Sequence, residues 1–367
     1  MFLVYGNVLF SQNKTDYDSI IASGTLDVYE NPDRAIKIGM SIYENQSLDI
    51  HTRVNSLMLV SNAYVSKRDY PKSLEYTIKA NQLSKQVNDL ILQIKTASKT
   101  AILYQQMKIY DKAIQHLDET EKLILAYPIK DSVSFLMGNN YVVRGFVYKE
   151  KLNCEIAISF FDRGIYEYNR IHTAKSNANS SIVYYNKGNC YILLSELESA
   201  KRSFLKSIEL AKTINTNSLE AFALKGLAEV YTIEGKYEEA IVVLNRAYTI
   251  SKSVGDLVLN QGIYKGLSEN YLAINDWDNY QTYHTRYLDT QLKLKQSERN
   301  TVSKSLDEIA KEQNAKLKQV APKFYYGTIG LFGLIIISIV LFIINFKKNK
   351  IALFHLKKDI ENLQKVK

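Results

Sequence analysis

Six tyrosines, Tyr64, Tyr104, Tyr148, Tyr191, Tyr231 and Tyr271, share one register and recur with a period of about 40 residues, the spacing of a helical repeat. Three residues before each stands a small side chain: Ser61, Ala101, Gly145, Gly188, Ala228 and Ser268. Nine residues after each come Ser73, Ala113, Ala157, Ala200 and Ala240, with Tyr280 breaking the rule in the last unit. A near-constant period of this size means that one supersecondary unit is copied along the chain, each copy burying its apolar face only against its neighbours. The units are helical. Only four Pro and 15 Gly occur in 367 residues, and Pro32, Pro71 and Pro128 fall at helix starts or turns, so most of the backbone is free to coil. Two antiparallel helices approach closely only where the facing side chains are small, which is what the flanking Ser, Ala and Gly supply.

The clearest unit, "LKGLAEVYTIEGKYEEAIVVLNRAYTI" from Leu224 to Ile250, and its five companions resemble the tetratricopeptide repeat. "NPDRAIKIGMSIYE", with Ala35 at the second-helix position, reads as a degenerate first unit, so the resemblance covers roughly residues 16–288. It implies an all-α solenoid of about seven helical hairpins over residues 12–300, with the Tyr of one hairpin filling the space against the next. The period exceeds the family's usual ~34 residues, which calls for longer helices or loops. HEAT-type repeats share the longer period, but the common Tyr and the small-residue pairs favour the tetratricopeptide form. Trp277 and Tyr280, bulky where the earlier units are small, read as a cap on the last hairpin.

After the repeats, residues 279–320 carry no Gly or Pro and place Leu306, Ile309, Ala310, Leu317 and Val320 at helical spacing, a helix of about 60 Å at ~1.5 Å per residue. Residues 301–323 form its juxtamembrane part. Residues 324–346, "FYYGTIGLFGLIIISIVLFIINF", are uncharged and long enough to span a bilayer as one helix. Of the net charge of +9, +7 lies beyond Asn300, from 12 Lys against five Asp or Glu. That placement marks a membrane flank rather than a nucleic-acid surface. The N-terminus, "MFLVYGNVLFSQNKTD", resembles the apolar core of a secretory signal over residues 1–11, without a basic lead-in. Seven Lys follow the span, while five, Lys304, Lys311, Lys316, Lys318 and Lys323, precede it closely. The expected topology is therefore a single-pass inner-membrane protein with a periplasmic array and a cytoplasmic tail.

In the basic tail, residues 347–367, Leu353, Leu356, Ile360 and Leu363 fall at heptad a and d positions, as in the first turns of a coiled coil. Gly327, Gly330 and Gly333 make a narrow stripe on the span where a second helix could approach. A homodimer through span and tail is the corresponding expectation.

Catalysis needs a placed base, nucleophile or metal. His51, His116, His172, His284 and His355 stand singly, and no zinc, phosphate-loop or hydrolase motif occurs, so neither an enzyme nor a cofactor is expected. Cys154 and Cys190 fall within helices and read as small buried hydrophobes, with a single bridge left open. Recognition is expected instead, on the face lined by the first helix of each hairpin. By register with the family, the groove-facing candidates are Met58, Asn62, Ser98, Ile102, Val142, Phe146, Tyr185, Asn189, Lys225 and Glu229. Met58 and Tyr185 stand where a carboxylate-clamping Lys would be, so an apolar-rich peptide or a protein segment is the expected ligand.

The order of signal, array, span and basic coiled-coil start is similar to Bacteroidetes-type membrane regulators. In those, the span leads to a LuxR-like or AraC-like helix-turn-helix or a histidine kinase. No such output lies within these residues, so nucleic acid would be met only through an output domain outside them. The resemblance implies the sensor part of a signalling or transcriptional regulator. A non-signalling envelope scaffold is the alternative.

Overall fold

The structure is a computed structural model, and it describes residues 16–171, 173–252 and 254–364. The proposed signal segment lies outside the described residues. Every element among those residues is an α-helix. In chain order they are α1 (Tyr17–Glu30), α2 (Pro32–Glu44), α3 (Ile50–Ser66), α4 (Tyr70–Ser84), α5 (Leu90–Gln106), α6 (Tyr110–Ala126) and α7 (Lys130–Glu150). There follow α8 (Cys154–Asn169), α9 (Ala174–Leu193), α10 (Leu197–Thr213), α11 (Asn217–Ile233), α12 (Tyr237–Ser251), α13 (Leu257–Ala273) and α14 (Trp277–Gln364). The chain divides into two units, Met1–Ser297 and Glu298–Lys367.

In the first unit the helices pair as antiparallel hairpins, α1 with α2, α3 with α4 and so on, and Ala35 of the degenerate first hairpin is fully buried. Helix starts are marked by side-chain caps from Asp16, Asn31, Asp49, Asp69, Asp89, Asn153, Thr173 and Asp256 onto the exposed N–H groups of the first turn. Pro32 and Pro71 sit in first turns, where their missing N–H costs nothing.

The turn inside each hairpin repeats as faithfully as the tyrosines. Four residues after each register Tyr, a residue takes positive φ: Arg68 (60°), Lys108 (59°), Leu152 (58°), Ser195 (61°), Gly235 (74°) and Asn275 (59°). The next N–H then donates to the Tyr carbonyl at 2.8–3.0 Å in all six hairpins, closing the helix end with a left-handed cap.

The small residues lie at the crossings. Ser61, Ser73, Ala101, Ala113, Ala157, Ala200 and Ala240 are fully buried, and Ala228 nearly so. Five of the six small residues that precede the Tyr meet a partner from the second helix of their own hairpin, and the volumes compensate. A Cβ on Gly145 would lie 2.4 Å from Cε1 of Phe161, and one on Gly188 would lie 2.6 Å from Cε1 of Phe204. Ala101 and Ala228 share core clusters with Leu117 and Leu244 in the same places, and Ser61 hydrogen-bonds Thr77 at 2.7 Å.

The register tyrosines pack differently from expectation. Tyr64 stacks on Tyr76, Tyr104 on His116, Tyr148 on Phe160 and Tyr271 on Tyr283, with ring centroids 5.3–5.6 Å apart and planes within 8°. Each partner belongs to the second helix of the same hairpin, so these four tyrosines seal their own hairpins rather than the joint to the next, whereas the Tyr231 ring lies under Lys201 of α10 in the preceding hairpin at 5.0 Å. Joints between hairpins use other contacts. Arg144 of α7, with 9% of its side chain exposed, reaches Asp118 at 2.7 Å and Glu121 at 2.8 Å on α6.

Trp277 is 62% exposed and meets Tyr280 edge-on at 6.1 Å; Tyr280 in turn stacks on His284. In the second unit, Thr328–Leu353 is long and apolar enough to cross a membrane, and none of it is buried within the chain. This stretch overlaps the sequence-based span over residues 328–346 and runs on past Lys347, Lys348 and Lys350. A Cβ on Gly330 or Gly333 would meet nothing within 4 Å, while Gly327 and the side chains of Ile360 and Leu363 lie outside the description. Leu353 and Leu356 are exposed.

Candidate functional site

First helices of successive hairpins touch one another: α5 meets α7, α7 meets α9, α9 meets α11 and α11 meets α13. Among the described residues, the second helices make no comparable contact with each other. The first helices therefore form the tighter, inner layer of the array, and two cavities open on it.

The first cavity, about 260 Å3, is walled by α5, α7 and α9 and closed at one side by α8. Ile102, Val142, Val143, Phe146 and Ile182 give it an apolar lining. Its rim is a set of neutral amides, Gln105, Gln106, Asn139 and Asn179, joined by the phenol of Tyr168. The Tyr168 hydroxyl donates to Asn139 Oδ1 at 2.6 Å, and Asn179 Nδ2 donates to the same oxygen at 3.0 Å. Burial pushes the Tyr168 phenol up from its ordinary value, which keeps it a neutral donor at any physiological pH. The pocket can hold one branched or aromatic side chain while its rim offers hydrogen bonds to a main chain.

The second cavity, about 380 Å3, lies between α11 and α13, with Ala228, Leu244 and Gly266 on its walls. It is edged by Lys225 and Glu229 from α11 and by Lys265 and Glu269 from α13. Lys265 and Glu269 pair at 3.6 Å one helical turn apart. Two glycines keep this cleft open: a Cβ on Gly266 would stand 3.1 Å from Leu244, and one on Gly262 would meet the stem of Lys225 at 2.9 Å. Two cations and two carboxylates on one rim suit a ligand segment that itself carries both signs of charge.

Of the residues singled out by sequence, Ile102, Val142 and Phe146 come together in the first cavity, and Lys225 and Glu229 in the second. The others do not join either. Met58 packs into the core cluster around Leu57, Ala80 and Leu92. Tyr185 lies against Phe204 at 6.0 Å and Phe222 at 5.9 Å. Asn62 and Asn189 are half-buried on α3 and α9. Ser98 Oγ is buried without a hydrogen-bond partner among the described residues.

Lys265 and Glu269 escaped the sequence reading although "YKGLSENY" copies "LKGLAEVY" one period on and puts them in the register of Lys225 and Glu229. Tyr168 comes from a second helix, which a reading confined to first helices leaves out. Among the described residues no cluster of His, Cys, Asp or Glu could hold a metal ion.

Residues 179–253, from α9 through α12, match the family model of the tetratricopeptide repeat. No curated protein matches the chain. Among solved structures, the Rap conjugation gene regulator of plasmid pLS20, crystallised with the Phr* peptide, is 14% identical with a TM-score of 0.55 and covers 81% of this chain and 80% of its own. A Rap protein complexed with the competence and sporulation factor is 14% identical, with a TM-score of 0.51 over 76% of this chain and 88% of its own. NprR with its cognate peptide NprX is 14% identical, with a TM-score of 0.51 over 75% of this chain and 78% of its own. At such identity the likeness is one of fold.

Proposed function

We propose that this chain, an array of tetratricopeptide repeats, binds an extended peptide or protein segment along the layer of its first helices. An apolar side chain enters the cavity of Ile102, Val142, Phe146 and Ile182, and a stretch bearing both charges lies over Lys225, Glu229, Lys265 and Glu269. The observation that carries this reading is the pair of cavities on one layer, one walled by α9 and the other by the next first helix, α11, and opening on equivalent repeat positions. The solved structures of like fold that hold peptides support it by analogy. The reading assigns binding and no catalytic step.

The array works, in this reading, as the sensor part of a membrane-anchored signalling or transcriptional regulator. The supporting feature is the segment Thr328–Leu353, whose exposed Leu331, Phe332, Ile336 and Phe342 would be unfavourable in water and are suited to lipid. The lysines that follow hold the tail on the cytoplasmic side.

Peptides selected from a random library against the full chain in detergent test the groove by fluorescence anisotropy. Ile182→Asp and Lys225→Glu are expected to weaken them about tenfold or more, equivalent to ~1.4 kcal/mol. Val242→Asp, on an exposed position of the second-helix layer, is expected to leave them unchanged. Equal losses in all three would overturn the reading. The topology has its own test: an alkaline phosphatase fusion at Asn300 is expected to be active and one after Lys367 inactive, and the reverse pattern refutes the orientation.

A further inference from the structure

The two cysteines of this chain, Cys154 and Cys190, are 36 residues apart and belong to different hairpins. Cys154 is the first residue of α8 and Cys190 lies in the last turn of α9. Both are buried, at 4% and 0% exposure, in one apolar cluster with Val142, Ala157, Phe161 and Val183. Their sulfurs are 2.7 Å apart, closer than two unbonded sulfurs rest against each other.

We propose that Cys154 and Cys190 form a disulfide that staples hairpin α7–α8 to hairpin α9–α10. The contact is tertiary, between repeats, and would bring the only two thiols of the chain together in a site with no other chemistry for them. Their oxidation takes an external disulfide, either a protein disulfide oxidant or oxidised glutathione. One cysteine thiolate attacks it, forming a mixed disulfide and releasing one thiol of the oxidant. The second cysteine thiolate then attacks the sulfur of the first, forming the bridge and releasing the other thiol. Two protons and two electrons leave the chain, and the oxidant takes both.

The surroundings set when this happens. Burial pushes the Cys190 thiol up to about 12, and both sulfurs lie under packed helices at 4% and 0% exposure, out of reach of a bulky oxidant. That burial places bridge formation while the two hairpins are still open and shields the bridge from reductant once they close.

The staple also bears on the apolar cavity. Val142 belongs both to the cysteine cluster and to the cavity lining, and Phe146 packs on the same cluster. Tyr168 from α8 and Asn179 and Ile182 from α9 wall the cavity on either side of the joint that the bridge would fix. Oxidation would thus tie together the two hairpins that wall this cavity, the one assigned to ligand in the proposed function.

The test uses the full chain in detergent, unfolded in denaturant with reductant and refolded in a mixture of oxidised and reduced glutathione. It is then denatured again and labelled with a maleimide of high mass. Both thiols are expected to resist labelling until reductant is added, with labelling lowered more than about tenfold against a chain refolded in reductant alone. The oxidised chain is expected to run as a monomer on a non-reducing gel and to melt about 5–10 °C above the Cys154→Ser/Cys190→Ser chain, the gap vanishing with reductant. Two fully labelled thiols after refolding in glutathione, or thiols lost only into intermolecular dimers, would overturn the proposal.

Discussion

Gly145 and Phe161 interlock so closely that a single methyl group on the glycine would lie 2.4 Å from Cε1 of the ring. The same two positions hold Gly188 and Phe204, Ala101 and Leu117, Ala228 and Leu244, and Ser61 and Thr77 in four other hairpins. Each small residue shrinks as its partner grows, which is how one hairpin geometry is kept with different side chains at its crossing.

Gly145→Ala is accordingly expected to destabilise the array by about 1–3 kcal/mol through overpacking. Adding Phe161→Leu recreates the Ala101 and Leu117 combination and is expected to restore part of that loss. Denaturant titrations of the wild type, the two single variants and the double variant check this. A double variant no more stable than the sum of its single losses would contradict volume pairing at this crossing.

Leu152 holds φ at 58° in the turn after Tyr148 while its side chain is 83% exposed. The equivalent position of a later hairpin is Gly235. Leu152→Gly removes the steric cost of a left-handed L-residue and loses little packing, so stability is expected to rise by about 0.5–1 kcal/mol. A fall measured in the same titration would mean that the Leu side chain contributes contacts that outweigh the backbone cost.

Lys99 on α5 is held below its ordinary value of 10.5 by burial, so the folded chain disfavours its charge. A base with a lowered folded value weakens the fold fully at pH below that value, and the cost fades as pH rises to 10.5. Lys99→Met is expected to raise the melting midpoint at pH 7 and to lose that advantage as the pH approaches the lysine range. A gain that is constant with pH would assign the effect to packing alone.

The hairpins were legible because three positions per unit recur with little change: the small residue, the Tyr and the Ala that follows on the second helix. The partners of those positions were not, since each varies on its own. The second-helix position that serves as ring partner holds Tyr76, His116, Phe160, Ser203, Val243 or Tyr283, and only the fold reveals that the rings among them stack on the register tyrosines. Because that position varies, sequence alone does not distinguish a Tyr packed within its own hairpin from one packed at the joint to the next.

For the site, register alone located Ile102, Val142, Phe146, Lys225 and Glu229. It could not separate them from Tyr185, which has the same periodic position as Lys225 but finds Phe204 and Phe222 to pack on. Periodicity reports the direction in which a side chain leaves its helix. Whether that direction ends in a cavity depends on neighbours from other hairpins, such as Gly262 and Gly266, whose missing side chains open the charged cleft.

The claim at the centre of this account is that ligand lies on the first-helix layer. A library-selected peptide carrying a photoreactive benzophenone, cross-linked to the full chain and mapped by mass spectrometry, tests it most directly. Adducts are expected on α5, α7 and α9 when the probe replaces the apolar anchor, and on α11 and α13 when it sits among the charged residues. Adducts concentrated on α4, α6, α10 or α12 would contradict it.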